Sequence, residues 1–159
     1  MAIPVRKTRG VVKVSPTSFQ VIETMDFIQA KPCHENFIMK SFTKGLIGSG
    51  WSQVREAEKK LINALHANLG TTITAVISKD PDLFTGWAHA QDGKLVWVYV
   101  VKSFRKLGIG AHLISKVLPD VAPVPCLFWS HDAACLARNG FPLFFNAQKQ
   151  RRNQWHNES

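Results

Sequence analysis

The residues whose types and spacing suggest chemistry are Arg105, Gly108 and Gly110, which form the pattern Arg-x-x-Gly-x-Gly. An apolar run, LVWVYV at 95–100, precedes this pattern, and an amphipathic stretch, AHLISKV at 111–117, follows it. Glycine lets a backbone approach an anion closely, and the first amides of a helix have no partner within the helix. Together with the helix dipole, such amides bind phosphate. The predicted phosphate-binding residues are Arg105, Lys106, Leu107, Gly108, Ile109, Gly110 and Ala111, and bracing of the turn is the alternative role for Arg105.

Acid–base chemistry has a second group of candidates, which lie before, within and beyond the apolar run. The candidate bases are His89, Asp92, His131 and Asp132. Tyr99 is the only tyrosine of the chain. His131 and Asp132 follow an apolar segment, so we expect them near the place where a second substrate enters, although Asp132 also suits a helix cap. The predicted catalytic residues are Tyr99, His131 and Asp132.

Other side chains that attract attention have simpler interpretations. His112 is expected to line the helix after the glycines, and Cys135, between two apolar residues, is expected to pack in the core. Trp87 and Trp97 are expected in the core of a sheet, with stacking on a nucleic-acid base as the alternative.

The elements that must position these residues alternate between helical and strand patterns. Strands are expected over 21–28, 71–78, 83–89, 95–101, 125–129 and 141–147, and helices over 34–45, between Ser52 and Gly70, over 108–117 and over 131–139. Ser52 is a predicted cap, Gly45 and Gly70 are predicted helix ends, and Asp92-Gly93 is a predicted hairpin turn. This order predicts an α+β fold, with a mixed, mostly antiparallel central sheet flanked by helices on both faces.

The size and composition are those of one globular domain. The chain has 159 residues, of which 45% are hydrophobic and 19% are charged. No apolar run approaches the ~20 residues that cross a bilayer, so no membrane partner is expected. Three cysteines without a paired spacing predict reduced thiols in a cytoplasm, and neither a disulfide framework nor a metal site.

The excess positive charge is concentrated at the two ends. The formal net charge is +9; residues 1–20 contribute +4 and residues 149–159 contribute +2. The sequence therefore divides into a basic N-terminal arm at 1–20, one domain at 21–147 and a basic tail at 148–159. Basic segments fit nucleic acid or another anionic partner, and equally a solvated end that aids solubility.

The glycine turn and the order of elements resemble the GCN5-related N-acetyltransferase superfamily. The signature of that superfamily is Arg or Gln, two residues, Gly, one residue, and Gly or Ala, and RKLGIG at 105–110 fits every fixed position. AACLARNGF at 133–141 resembles the weaker second signature, which ends in Gly-Phe. The strand end VVKSF also fits, with Lys102 where proline is common. The resemblance covers roughly residues 21–147.

This resemblance implies acetyl-coenzyme A as cofactor, an amine as acceptor and direct attack in a ternary complex. It also implies that the backbone of Val98, Tyr99 and Val100 pairs with the pantetheine arm, and that a homodimer is common. The superfamily often places a tyrosine where this chain has Leu136, so the usual acid is missing.

Two further alternatives come from the same resemblance. NFIMKSF at 36–42, Gly86-Trp87 and VYVVKSFRKLGIG at 98–110 resemble small acetyltransferase-like proteins of bacteriophages, which would work in the host cytoplasm. Mom-type DNA-modifying proteins share the fold, and the basic ends keep DNA modification open. A descendant without enzymatic activity, kept as an interaction module, is the remaining alternative.

Overall fold

The structure is a computed structural model, and it describes residues 22–144. Its strands are β1 Met25–Gln29, β2 Thr71–Ile77, β3 Asp80–Gln91, β4 Lys94–Val100, β5 Val124–Pro125 and β6 Leu143–Phe144. Its helices are α1 Glu35–Gly48, α2 Val54–His66, α3 Ile109–Val117 and α4 His131–Arg138, with short 3-10 turns at Pro32–His34 and Lys102–Phe104. The predicted basic arm and tail lie outside the described residues. No helix between residues 22 and 144 has the length and apolar character to span a membrane.

The main sheet contains four antiparallel strands in the order β1-β2-β3-β4. Asp92 and Gly93 join β3 to β4 with φ values of 55° and 76°, as the predicted hairpin turn requires. The short strands β5 and β6 pair in parallel, and one parallel bridge between Leu95 and Cys126 connects them to β4. The fold is therefore α+β, built on an antiparallel sheet with a parallel extension.

Helices cover both faces of this sheet because neighbouring strand residues point to opposite sides. Ala88 and Val98 belong to the core on the side of α3. Trp87 and Trp97 belong to the core on the side of α1 and α2, where both rings meet Phe42 edge to face. Both tryptophans are buried, as expected for sheet residues.

The sheet parts beyond the first residues of β4. Leu127 donates its amide to the carbonyl of Leu95 at 2.8 Å. Further along β4, no backbone bond joins Val98 or Val100 to the segment after Cys126 within residues 22–144. On the edge away from β3, the end of β4 therefore faces the start of α4 instead of another strand.

Several predicted boundaries are wrong, for identifiable reasons. Helix α1 does not end at Gly45 but continues for three more residues. Glycine at this position allows the helix to pack against Trp97, because a Cβ there would lie 2.6 Å from Cζ2 of that ring. Gln53, not Ser52, precedes α2, and its side chain makes no capping bond. The strand predicted over 125–129 is reduced to Val124–Pro125 and a bridge at Cys126, since the chain there turns toward α4.

Candidate functional site

A cleft of about 540 Å³ opens where the sheet parts. One wall is the second half of α1, another is the end of β4, and the third is the beginning of α4. Polar and charged side chains that line this cleft include Lys44, Tyr99, Lys102, Arg105, His131 and Asp132.

The three predicted catalytic residues meet in this cleft, although they come from two elements. Tyr99 lies on β4, while His131 and Asp132 form the first turn of α4. His131 is exposed and Tyr99 is partly buried. The guanidinium carbon of Arg105 lies 5.9 Å from the centre of the Tyr99 ring. The cleft therefore brings a phenol, an imidazole, a carboxyl group and a guanidinium together.

Asp132 does not cap α4, contrary to the alternative considered for it. The cap is Ser130, whose Oγ accepts the amide of Ala133 at 3.1 Å. Asp132 instead accepts the amide of Val100 at Oδ2 over 2.9 Å, and its Oδ1 lies 3.1 Å from Nε of Arg105. Burial raises the pKa of Asp132, against the opposing effects of the Val100 amide, Arg105 and His131.

The end of β4, predicted to pair with a pantetheine arm, has side-chain partners in this structure. Val98 accepts a hydrogen bond from Ser130 Oγ at 3.0 Å, and the Val100 amide is bound by Asp132. A ligand that pairs with these two backbone groups must displace Ser130 and Asp132 from them.

Arg105 belongs to the cleft as well as to the glycine turn. Its Nε donates to the carbonyl of Val100 at 2.9 Å and also faces Asp132. Its Nη1 and Nη2 form no hydrogen bond with any of residues 22–144. Arg105 therefore braces the end of β4 with one nitrogen, and the other two form no hydrogen bond with the described residues.

The turn between β4 and α3 combines two left-handed residues with a run of amides that have no described acceptor. Lys106 and Gly108 have φ values of 67° and 87°, which lie in the left-handed region. The first bond of the helix runs from His112 to the Gly108 carbonyl at 3.1 Å. The amides of 106–111 have no acceptor within the described part of the chain. Lys102 and Lys106 are exposed beside them.

The two glycines of the turn serve different purposes. A Cβ on Gly108 would meet nothing within 4 Å, so its positive φ is the reason for glycine there. A Cβ on Gly110 would lie 3.2 Å from Cδ1 of Leu136 and 3.5 Å from Cγ2 of Val100. Gly110 therefore allows α3 to pack closely on α4, and Leu136 occupies this contact.

Two of the other candidate bases lie away from the cleft. His89 and Asp92 line a separate cavity of about 400 Å³ next to α2. His89 is buried, with Nδ1 2.7 Å from the Thr72 hydroxyl and Nε2 3.2 Å from Gln91 Oε1. Burial lowers the pKa of His89, which fits a neutral, hydrogen-bonded core residue.

His112 and Cys135 also differ in their surroundings from catalytic groups. His112 packs beside Phe27, with ring centres 4.4 Å apart, and burial lowers its pKa. Cys135 is only partly buried, contrary to the expectation of core packing. Its sulfur contacts Nη2 of Arg138 at 3.2 Å and Nε2 of His131 at 3.5 Å, because these residues lie one turn away on the same helix.

Two cleft residues were missed by sequence reasoning. Ser130 stands directly before a predicted helix and three residues before Ala133, which is the position of a cap, so the sequence contained a usable signal. Lys44 had none, since its place in the cleft depends on how α1 packs across β4.

A scan against models of known protein families finds no match, and a search of curated proteins finds no similar sequence. The chemistry of the cleft and of the turn is therefore the basis for inferring a function.

Proposed function

We propose that this protein is an acetyl-coenzyme A-dependent N-acetyltransferase that acts on a primary amine. The observation that carries the proposal is the row of unpaired amides at 106–111, at the start of α3 and next to the cleft. Backbone amides, the helix dipole and the lysines at 102 and 106 favour a diphosphate there. A diphosphate of coenzyme A fits this set of donors because none of them already has a described protein acceptor.

Acetyl-coenzyme A, when bound, would supply an acetyl group activated as a thioester for transfer to an amine nitrogen, with the coenzyme A thiol as the leaving group. His131 is exposed in the cleft and is the proposed base for the ammonium proton of the acceptor. Tyr99 is the proposed donor of a proton to the departing sulfur. Asp132 is a positioning residue, because its carboxyl group already holds Val100 and Arg105.

Two observations favour a second candidate, a protein of this fold that binds ligands without transferring acetyl groups. Leu136 stands where the superfamily often has tyrosine and packs on Gly110. The backbone groups of Val98 and Val100 are bound by Ser130 and Asp132. Release of free thiol from acetyl-coenzyme A in the presence of amines separates the two, because only a transferase releases it.

DNA modification remains a variant of the transferase proposal in which the acceptor is a base. Its support is the basic composition of residues 1–20 and 149–159, which lie outside the described residues. Binding through phosphates falls steeply with salt, so titrations of duplex DNA against the full chain at two salt concentrations test this variant. Absent or salt-insensitive binding counts against it.

The cofactor site is tested by two matched glycine substitutions. Gly108→Ala and Gly93→Ala each place a Cβ on a residue with positive φ and open space around it, so both should lose about 1 kcal/mol of stability. Only Gly108 lies in the turn. We expect acetyl-coenzyme A to raise the melting temperature of the wild type and of Gly93→Ala, and to have a much smaller effect on Gly108→Ala. An equal shift in all three proteins would place the binding elsewhere.

A further inference from the structure

The cleft is cationic, and its charges select among possible amines. Lys44, Lys102 and Arg105 line it, and Asp132 is the only carboxylate among the described lining residues. That carboxylate is buried and already faces Arg105 at 3.1 Å. Lys44 and Lys102 are exposed, and neither forms an ion pair with another residue of the described range. A polycationic ligand would therefore meet two uncompensated lysines and no available carboxylate.

Arg105 is already oriented for an anion. Its Nε is fixed between the Val100 carbonyl and Asp132, and its side chain is 29% exposed, so a ligand can reach it. The Nη atoms have no hydrogen-bond partner within residues 22–144. A planar guanidinium with free Nη donors binds carboxylate or phosphate through two parallel hydrogen bonds.

The size and the walls of the cleft suit a small molecule. Its volume of about 540 Å³ is within the range of small-ligand sites. Trp97 and Tyr99 give it an aromatic wall beside the cations, while His131 stands at the start of α4. The anion anchor and the proposed base thus lie in one cleft.

We propose that this cleft binds a small amine that also carries a carboxylate or a phosphate, with Arg105 as the anchor and Lys44 as a flanking charge. As a statement about the acceptor, this depends on the proposed function. It predicts discrimination against polyamines, because like charges in the cleft repel them.

The test is calorimetric titration of the full chain, without acetyl-coenzyme A, against three probes: O-phosphoethanolamine, L-glutamate and spermidine. We expect at least one of the two anionic amines to bind and spermidine not to bind. The choice between phosphoethanolamine and glutamate distinguishes phosphate from carboxylate. Saturating coenzyme A should leave this binding in place, because Arg105 and Lys44 are not among the donors proposed for the diphosphate.

Three variants locate the binding. Arg105→Gln should weaken it about tenfold or more, since a hydrogen-bonded charge is lost. Lys44→Ala should weaken it about threefold, and Lys40→Ala should not change it, because Lys40 lies on the same helix but lines a different groove. The exposed Lys44 keeps the test valid if Arg105→Gln does not fold.

Several results would overturn the inference: no binding of either anionic amine, binding of spermidine as tight as theirs, loss of anion binding with coenzyme A, or equal effects of Lys44→Ala and Lys40→Ala. The proposed function fails separately. Anion binding without any acetyl-coenzyme A binding would refute the proposed acetyltransferase but support the anionic ligand. Acetyl transfer to spermidine alone would support the acetyltransferase but refute the anionic ligand.

Discussion

One ion pair, between Arg105 and Asp132, links the three parts of the candidate site. Asp132 on α4 accepts the amide of Val100, and Arg105 from the glycine turn donates to the carbonyl of the same residue. Both polar backbone groups of Val100 at the end of β4 are thereby satisfied. The cost of desolvating a buried ion pair offsets most of its attraction, so the pair adds little net stability. Its role here is to hold the guanidinium and the end of β4 in fixed relative positions.

The titration of Asp132 should appear in the stability of the protein. Because burial raises the pKa of this carboxyl group, the folded state binds its proton more tightly than the unfolded state. Its contribution to the free energy of unfolding must therefore fall as pH rises from the ordinary aspartate pKa of 3.8 through the raised value. We expect Asp132→Asn to lack this loss, as measured by urea unfolding at several pH values.

The matched control for that measurement is Asp82→Asn, since Asp82 is an exposed aspartate on β3. It should retain the wild-type pH profile. A stability difference between wild type and Asp132→Asn that stays constant, or changes in the opposite direction with pH, would contradict the assigned burial of Asp132.

Among the helices and strands, α1 forms one wall of the cleft through its close contact with β4. Gly45 permits this contact, because a Cβ would lie 2.6 Å from the Trp97 ring. Gly48, three residues further along the same helix, has nothing within 4 Å of such a Cβ. The two glycines therefore separate the effect of packing from that of helix propensity.

We expect Gly45→Ala to lower the free energy of unfolding by about 1–3 kcal/mol, as overpacking does. Gly48→Ala should raise it, by up to about 1 kcal/mol, because alanine is the better helix former. Chemical denaturation of both variants measures the difference. Stabilisation by Gly45→Ala would mean that α1 does not lie against Trp97 as described.

Helices and strands with a strong hydrophobic period or a clear turn signal could be predicted from the sequence. Very short strands could not. The strand at 71–77 and the hairpin at Asp92-Gly93 follow from β-branched residues and turn chemistry, which are local. The two-residue β5 has no local signal, because a single bridge and the path toward α4 define it. The partners of Asp132 and the place of Lys44 depend on contacts between distant segments, which spacing does not encode.

At the scale of the whole molecule, the cleft exists because the four-stranded sheet continues into β5 through one bridge only. The end of β4 is thereby left open to α1, to the glycine turn and to α4. Arg105, the first residue of the glycine turn, and the predicted catalytic residues Tyr99, His131 and Asp132 all line this opening, although more than 20 residues of sequence separate Arg105 from His131.

Histidines that are buried or half-buried should give the molecule a second dependence on pH. Burial lowers the pKa of His34, His89 and His112, so the unfolded chain binds their protons more tightly. The free energy of unfolding should therefore fall as pH falls below the ordinary histidine value of 6.5. His89→Gln should flatten part of this slope, because the substitution removes the most deeply buried of the three imidazoles. Thermal denaturation of wild type and variant between pH 5 and pH 8 measures the slopes, and equal slopes would contradict the assignment.

The proposed acetyltransferase function requires that the amides of 106–111 bind a diphosphate. Amide chemical shifts in a titration of the 159-residue chain with coenzyme A test it directly. We expect the largest shift changes at these amides, followed by the amide of Val100, because Asp132 must release it when the cofactor binds. Unchanged shifts at 106–111, or changes confined to the cavity beside His89, would contradict it.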